Sequence, residues 1–284
     1  MSKKEFRNYS INDNTINDNT INDNTINDNT IKNIKKNYEY ARTYQNTILY
    51  QYILNKFNLR EKTKNNFWDI MDNLNSFIDI SDPDISLPNS HHMFQSAESS
   101  RKNNEPRWFQ LVCLIHDLGK IQAFIDNETD FGLSLKKQWA IVGDTFILGC
   151  EIPSTIVFPE FNSLNLESNS KDTYGIYEIN CGLNNTMVSW GHDEFLYRVL
   201  MENNHSLPEE ALYIIRFHSL YLWHTENEYS HLENEKDREM KPWVQKFNKY
   251  DLYTKEDKPV DLEELKPYYT KLFEEFFGSL EIMI

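Results

Sequence analysis

Residues 111–124, which read LVCLIHDLGKIQAF, place charged and titratable residues inside an apolar helical pattern. The spacing of the apolar side chains predicts a helix that is buried in the protein core. His116, Asp117 and Lys120 lie in the middle of this pattern. Burying an imidazole, a carboxylate and an ammonium without partners is costly, because each group loses its hydration. The chain must therefore fold so that other segments bring partners to these three residues.

The rest of the chain also favours helices. Apolar residues recur at helical spacing in most segments, and we predict further helices over residues 35–57, 67–78, 90–102, 189–203, 206–221, 241–253 and 261–280. Ser206 and Glu209 match a capping box at the start of one of them. Residues 138–149 predict a short extended segment and a turn, whereas residues 79–90 and 151–180 predict loops. The fold class we predict is all-α, a single helical domain with a few short extended segments.

Residues 11–30 are four copies of the pentapeptide INDNT. One isoleucine in each repeat buries too little apolar surface to offset the conformational entropy of the chain. The period is also far shorter than the roughly 20–50 residues of solenoid repeats. We predict a disordered insertion without a catalytic role, with a self-associating asparagine-rich tract as the alternative. It separates residues 1–10 from a helical domain over residues 31–284.

The charge balance bears on the partners of the chain. It has 29 basic and 44 acidic residues, a formal net charge of -15, and this field repels nucleic acids and anionic membranes. No apolar stretch approaches the roughly 18 residues that cross a bilayer, and the N-terminus lacks the apolar region of a secretory signal. Cys113, Cys150 and Cys181 are odd in number and lack metal-binding spacing, which is typical of free thiols in a reducing compartment. We therefore predict a cytoplasmic protein without nucleic-acid or membrane partners.

Further polar residues fall on the inward faces of the predicted helices. His218 and Asp251 each follow apolar residues by four and seven positions, which places them on the apolar stripe. His192 opens an apolar helix, and His92 lies near the N-terminal end of another. Taken singly, each histidine could be a hydrogen-bonded core residue, and Asp251 could be a buried cap. Taken together, so many buried polar groups in a helical core would be costly unless one centre satisfied them all.

A metal centre is the simplest common partner. Imidazole and carboxylate ligands without thiolate favour iron, manganese, zinc or magnesium over copper(I). Six side chains exceed what one ion with open positions needs, so an aspartate that bridges two ions is an economical arrangement. Adjacent helical residues differ in direction by about 100°, so His116 could face one ion while Asp117 spans both; alternatively, Asp117 could pair only with Lys120. The candidate metal ligands are His92, His116, Asp117, His192, His218 and Asp251.

Longer motifs around these residues carry a family resemblance. The order His, His-Asp, Asp is typical of the HD-domain superfamily of metal-dependent helical proteins. The flanking sequences point to one family within this superfamily. They read EFRNYS, SDPDISLPNSHHMFQSAE, LIHDLGK, QWAIVGDTF, SWGHDEFLY, RFHSLYLWHT and PWVQKFNKYDLYTK. Together they resemble the myo-inositol oxygenase family from Glu5 to about Phe276.

This resemblance implies a monomeric, HD-domain-like helical bundle that holds two iron ions in a mixed-valent Fe(II)/Fe(III) state. Members cleave the ring of myo-inositol with O2 to give D-glucuronate. The six candidate ligands would bind the irons, with Asp117 as the bridging carboxylate and with Asp117 and Lys120 as the catalytic residues. The resemblance also implies a set of substrate-binding residues: Arg7, Asp79, Ile80, Ser81, Lys120, Gly143, Asp144, His218 and Ser219.

These side chains suit a neutral substrate that carries many hydroxyl groups. Asp79 and Asp144 can accept hydrogen bonds, and Lys120 and Arg7 can donate them. Glycine at position 143 lets the backbone approach a ligand closely. The carboxylates would repel a phosphate ester. The resemblance therefore agrees with what the residue types can do.

Several positions stand apart. Arg7 precedes the repeats, so it reaches the substrate only if residues 1–10 fold back as a lid; looping out about twenty residues costs little entropy. Ile80 stands where animal relatives are expected to carry an acidic residue, so its contact would be through the backbone. His224 lies in the YLWHT motif, where it either supports the metal ligands or is a loop histidine without function.

Two other functions are consistent with parts of the pattern. The first is an HD-type metal-dependent phosphohydrolase that acts on a nucleotide or phosphoester with a metal-activated water. It should carry more arginine and lysine near the metal motifs than this chain does. The second is a helical protein that kept the fold and lost the chemistry. Such a protein should have lost a ligand, and all six are present.

Overall fold

The structure, a computed structural model, describes residues 28–82, 88–168, 173–253 and 260–284. Within these ranges the α-helices are α1 (Asp28–Tyr44), α2 (Thr47–Leu59), α3 (Phe67–Leu74), α4 (Asn89–Lys102), α5 (Arg107–Ile115), α6 (Gln122–Ile125), α7 (His192–Met201), α8 (Glu209–Phe217), α9 (Tyr221–His224), α10 (Glu235–Tyr253) and α11 (Leu262–Phe277). Short 3-10 helices span Leu118–Ile121, Pro159–Leu164 and Leu183–Asn185. Strands β1 (Lys64–Asn66) and β2 (Glu281–Met283) pair antiparallel. The predicted all-α class with short extended segments is confirmed.

The predicted helix over residues 35–57 is wrong as a single element, because it is divided between α1 and α2. Asn46 has extended backbone dihedrals, and its side chain accepts a hydrogen bond from the Leu49 N–H at 2.8 Å, so it caps α2. Gln45 is buried at the break, where its amide nitrogen donates to the Trp190 carbonyl at 2.7 Å. A capping asparagine therefore ends the helical run without glycine or proline.

The predicted capping box at Ser206 and Glu209 is also wrong. Helix α8 begins at Glu209, and Pro208 precedes it without a side-chain capping bond. The Ser206 N–H donates to the Phe276 carbonyl at 2.9 Å instead. Ser206 thus ties the start of α8 to the last turn of α11, which is a tertiary contact that the local pattern does not contain.

Helix α5 lies at the centre of the bundle. Every residue from Phe109 to Ile115 is buried, and α5 contacts α4, α8, α10 and α11. The chain then continues into the 3-10 helix Leu118–Ile121, which packs on α7. His116 and Asp117 lie at this transition. The central helix therefore ends where several other helices converge.

The segment over residues 138–149 contains the predicted turn, but its predicted extended part is limited to one bridge residue, Ile147. A single bridge joins Ile147 to Val188, and the Thr145 N–H donates to the Ser219 carbonyl at 3.0 Å. Gly143 has φ +104°, which side chains other than glycine rarely adopt. This segment therefore lies directly beside the end of α8.

Several sequence predictions fall wholly or partly outside the described residues. Arg7 and residues 11–27 of the INDNT repeats lie outside them, and so does the part of the predicted loop from position 83 to 87. Helix α1 begins at Asp28, inside the last repeat. Among the described residues, no helix is both long and apolar enough to span a membrane.

Candidate metal centre

The predicted ligands come from five helices or helix ends and meet in the core. His92 lies in the first half of α4, His116 directly follows α5, His192 opens α7, His218 directly follows α8, and Asp251 lies near the end of α10. Asp117 follows His116, and all six side chains are buried. The sequence periodicity predicted that these residues lie on the inward faces of their helices. In the structure those faces meet, and the six side chains lie together.

Their ligand atoms form two groups, each compact enough to hold a metal ion. The first consists of His92, His116 and Asp117, and the second of Asp117, His192 and His218. Asp117 belongs to both, so its two carboxylate oxygens can serve both groups. Asp251 joins the first group from the side, with Oδ1 2.8 Å from His92 Nε2 and 3.5 Å from His116 Nε2.

The orientation of three imidazoles is fixed by backbone carbonyl groups. His116 Nδ1 lies 3.0 Å from the Cys113 oxygen, His192 Nδ1 2.6 Å from the Ile141 oxygen, and His218 Nδ1 2.9 Å from the Ile215 oxygen. A carbonyl oxygen only accepts hydrogen bonds, so Nδ1 carries the proton in each ring. In its neutral form, each ring therefore presents a lone pair at Nε2, as a metal ligand must.

These lone pairs face one another in a way that calls for a cation. His192 Nε2 lies 3.0 Å from His218 Nε2 and 3.0 Å from Asp117 Oδ1. Two neutral imidazole nitrogens that both accept cannot bond to each other. His116 Nε2 is buried, 3.4 Å from Asp117 Oδ2 and 3.5 Å from Asp251 Oδ1, and neither contact is a well-formed hydrogen bond. A metal ion within each group would satisfy these atoms, so the donor set fits a metal centre.

The pKa shifts of His218 and His116 are also consistent with a bound cation. Burial and the neighbouring imidazoles of His192 and His116 lower the pKa of His218 to about 3, so its ring is neutral at physiological pH. Burial also acts to lower the pKa of His116, but the carboxylates of Asp117 and Asp251 outweigh it and raise that pKa to about 9. The field that draws a proton to His116 would also draw a metal cation, which competes for the same nitrogen.

Lys120 lies one turn after His116 and is buried, with 5% of its surface exposed. Its ammonium donates to Asp117 Oδ2 at 2.8 Å, Asp79 Oδ2 at 2.9 Å and Asn89 Oδ1 at 2.9 Å. Burial acts to lower the pKa of Lys120, but Asp117 and Asp79 outweigh it and raise that pKa above its ordinary value. The ammonium therefore stays charged. Asp117 pairs with Lys120 and also belongs to both ligand groups, so the ion pair and a role as metal ligand are compatible.

A cavity opens beside the two groups. Most predicted substrate-binding residues line it: Asp79, Ser81, Lys120, Gly143, His218 and Ser219. Sequence reasoning missed Asp82, Asn89 and Tyr221 on its wall. Tyr221 donates a long hydrogen bond of 3.4 Å to Asp251 Oδ2. Its place in the RFHSLYLWHT motif, two positions after Ser219, was the signal available in the sequence.

Two of the predicted substrate residues that the structure describes do not line this cavity. Ile80 donates its backbone N–H to Gln138 Oε1 at 3.1 Å and packs its side chain on the core. Asp144 accepts a hydrogen bond from the Tyr38 hydroxyl at 3.2 Å, next to Gly143 on the cavity wall. Neither Ile80 nor Asp144 lines the cavity that the described residues form, and Arg7 is outside the described residues.

Two further residues, His224 and Gly119, contact the backbone of candidate metal ligands. His224 is buried at the end of α9, and its Nε2 lies 2.9 Å from the His218 carbonyl oxygen, so it holds the backbone of a candidate ligand. At Gly119, an added Cβ would lie 1.9 Å from the His192 carbonyl oxygen. Only glycine therefore lets the 3-10 helix that follows Asp117 approach the start of α7.

Comparisons with known proteins agree with this arrangement. The family model described as Myo-inositol oxygenase matches residues 31–283. The chain is 42% identical over 259 residues to the protein named Inositol oxygenase of Danio rerio, covering 83% of this chain and 90% of the relative. For the protein of that name from Dictyostelium discoideum, the identity is 42% over 256 residues, with 87% and 85% covered. For that of Mus musculus it is 46% over 208 residues, with 72% and 70% covered.

The family match includes all six candidate metal ligands and every predicted substrate residue except Arg7. Membership of this family implies a metal centre, and the two histidine and aspartate groups are where the structure could hold it. The resemblance that the sequence motifs carry is confirmed. The chain belongs to the myo-inositol oxygenase family.

Proposed function

We propose that this chain cleaves the ring of myo-inositol with O2 and releases D-glucuronate and water. The observation that carries the proposal is that Asp117 belongs to two compact ligand groups at once. A shared carboxylate between two imidazole-containing groups is the arrangement a pair of metal ions needs. The names of the relatives supply the substrate, since they are called inositol oxygenases.

The metal in this proposal is a pair of iron ions in the mixed-valent state. His92, His116 and Asp251 would hold one ion, His192 and His218 the other, and Asp117 would bridge them. Oxygen and nitrogen donors without thiolate suit iron. When bound, the ions supply Lewis acidity and the redox chemistry with O2. The protein holds their ligands in place through the carbonyl groups that fix the three Nδ1 atoms.

The protein's own part is to bind and orient a neutral polyol. Asp79 and Ser81 share a hydrogen bond of 2.6 Å at the cavity wall, where either can turn to a substrate hydroxyl. Lys120 keeps a fixed positive charge one turn from His116 and is proposed as the catalytic lysine. Ser219, His218 and Gly143 also line this cavity.

The remaining predicted contacts complete the proposal. Asp144 would reach the substrate from behind Gly143, and Ile80 would act through its backbone. Residues 1–10 would form a lid that brings Arg7 over the substrate, with residues 11–30 as a looped-out insertion. The net charge of -15 disfavours nucleic-acid and anionic-membrane partners. The free cysteines support a cytoplasmic location, and the family resemblance supports a monomer.

The deciding experiment is O2 uptake by the iron-loaded, partly reduced protein with and without myo-inositol. The expected result is uptake that requires inositol and matches glucuronate one for one. Protein that contains two irons and shows no such uptake would overturn the proposal. A phosphoester screen on the same preparation then tests the phosphohydrolase alternative, which the carboxylates beside Lys120 disfavour because they repel phosphate.

A further inference from the structure

A buried ion pair lies close to the two imidazoles of the second ligand group, and the proposed function does not use it. Glu194 and Arg216 are buried, and Arg216 Nε donates to Glu194 Oε2 at 2.7 Å. Glu194 follows His192 by two positions in α7, and Arg216 precedes His218 by two positions near the end of α8. The ion pair therefore joins the start of α7 to the end of α8, two residues away from each candidate ligand.

Both members of the ion pair are held by further contacts. Glu194 also accepts hydrogen bonds from the Tyr50 hydroxyl at 2.7 Å and from Arg198 Nε at 2.8 Å. Arg216 Nη1 donates to Asn184 Oδ1 at 3.0 Å. Charge-assisted hydrogen bonds are stronger than neutral ones, and burial strengthens them further because the local dielectric constant is low. The ion pair therefore fixes the two helices firmly to each other at this point.

The hydrogen bonds that orient the two imidazoles do not join the rings to each other. His192 Nδ1 lies 2.6 Å from the Ile141 carbonyl oxygen, whereas His218 Nδ1 lies 2.9 Å from the Ile215 carbonyl oxygen. Each bond sets the direction of one ring. The distance between the rings depends instead on how the start of α7 is held against the end of α8, where the ion pair lies.

That distance suits a single metal ion. Bonds from imidazole nitrogen to a metal such as zinc are about 2.0–2.1 Å long, so two ligands at right angles on one ion lie about 3.0 Å apart. The Nε2 atoms of His192 and His218 are 3.0 Å apart. Neutral imidazoles resist this approach, because their Nε2 lone pairs repel each other. Before an ion binds, a restraint outside the rings is needed to hold them there.

We propose that Glu194 and Arg216 are positioning residues that hold His192 and His218 at the spacing of one metal ion. Their ion pair fixes α7 against α8, so the second ligand group is formed before its ion arrives, and little binding energy is lost in drawing the rings together. The inference rests on the proposed function, since it takes this group as one half of a two-ion centre. It gives two residues that do not line the cavity a role in the affinity of one ion.

The first ligand group does not depend on this link between α7 and α8. His92 lies in α4, His116 follows α5, and Asp251 lies in α10. Weakening the contact between α7 and α8 should therefore lower the affinity of the second ion and leave the first ion in place. A residue that only stabilised the fold would not distinguish the two ions.

The test titrates the metal-depleted full chain with ferrous iron under anaerobic conditions and measures the affinity of each ion by calorimetry. The wild type is expected to bind two ions. In Arg216→Met, the second ion is expected to bind about 10–100-fold more weakly, which is the usual cost of losing a contact that supports a metal ligand. Arg216→Lys keeps a cation opposite Glu194 and is expected to recover most of the affinity.

His218→Ala identifies the ion that is affected. This variant keeps only the first ligand group complete, so it is expected to bind one ion. Adding Arg216→Met to it should leave the affinity for that ion unchanged. A lower affinity in the combined variant would overturn the inference, because the ion pair would then act on the whole centre.

Asp237→Asn is the matched control for a loss of stability. Like Glu194, Asp237 is a buried carboxylate that accepts a hydrogen bond from a tyrosine hydroxyl, that of Tyr213 at 2.9 Å, but it belongs to neither ligand group. It is expected to lower the melting temperature and to leave both affinities unchanged. Should Arg216→Met fail to fold, the double variant Glu194→Gln/Arg216→Met replaces it, because it removes both charges of the pair together.

The outcomes separate this inference from the proposed function. A wild type that binds fewer than two ions would overturn the two-ion centre on which the proposed function rests. If the wild type binds two ions and Arg216→Met binds both as tightly, or loses both equally, only the role of the ion pair is overturned. Selective loss of the second ion in Asp237→Asn would overturn that role as well.

Discussion

The Nε2 atoms of His192 and His218 lie 3.0 Å apart, although each ring carries its proton on Nδ1. When both rings are neutral, two lone pairs face each other in a buried site, and only a positive charge between or beside them relieves their repulsion. A cation between them turns this repulsion into two favourable contacts. The centre is for that reason also an element of stability, and the first prediction follows from it.

Removal of metal with a chelator is expected to lower the melting temperature of the protein. A ligand present at a hundred times its dissociation constant stabilises the native state by about 2.7 kcal/mol, so the effect is measurable by calorimetry. Adding ferrous iron back should restore the original transition. Superimposable melting curves with and without chelator would show that the histidine pair does not hold an ion.

Asp117→Ala is expected to lose both metal ions, because Asp117 is the residue that the two groups share. Elemental analysis of the purified variant measures this directly. The matched control is Asp126→Ala, which removes an equally buried carboxylate that pairs with Lys56 and Arg60 away from the cavity. Full metal content in Asp117→Ala would rule out a bridging role.

Lys120→Met should retain its metal and lose turnover. Removing one positioned donor that stabilises developing charge typically costs about 10²–10³ in rate, and methionine preserves much of the shape of the side chain. Lys246→Met is the control, since Lys246 pairs with Glu105 outside the cavity wall. Wild-type turnover in Lys120→Met would remove this residue from the mechanism, whatever its effect on stability.

Gly119→Ala is expected to lower both stability and metal content. The new Cβ would meet the His192 carbonyl oxygen at 1.9 Å, so the start of α7 must move, and overpacking of this kind costs about 1–3 kcal/mol or more. Gly278→Ala is the control: it has φ +74° and open space around it, so it should cost stability without changing metal content. Unchanged iron content in Gly119→Ala would contradict the proposed support of His192.

Much of the fold follows from periodicity in the sequence. The helices around His92, His192 and His218 lie where the apolar spacing predicts them, because burial of an apolar stripe dominates their stability. The break between α1 and α2 was missed because Asn46 caps α2 with its side chain inside a continuous helical pattern. The position of Ser206 depends on Phe276, seventy residues away, and no local rule contains that contact.

In the candidate site, too, some features could be predicted from the sequence and others could not. Ligand type and inward orientation could be predicted, since imidazole and carboxylate groups on apolar faces need a common partner. The hydrogen-bond acceptors of the Nδ1 atoms could not all be predicted. The Ile141 carbonyl, for example, lies 51 positions before His192 in the sequence. Asn89 was passed over as a loop residue for the same reason, as its contact with Lys120 spans 31 positions.

The bonds from His116 to the Cys113 carbonyl and from His218 to the Ile215 carbonyl lie in the last turns of α5 and α8. If either turn frays, the imidazole loses the acceptor that holds its ring. Metal release is therefore coupled to local opening of these helix ends, and not to solvent access alone. The lifetime of the bound metal should match the hydrogen-exchange lifetime of the amides in those turns. The rate of metal release would then measure how often the ends of α5 and α8 open.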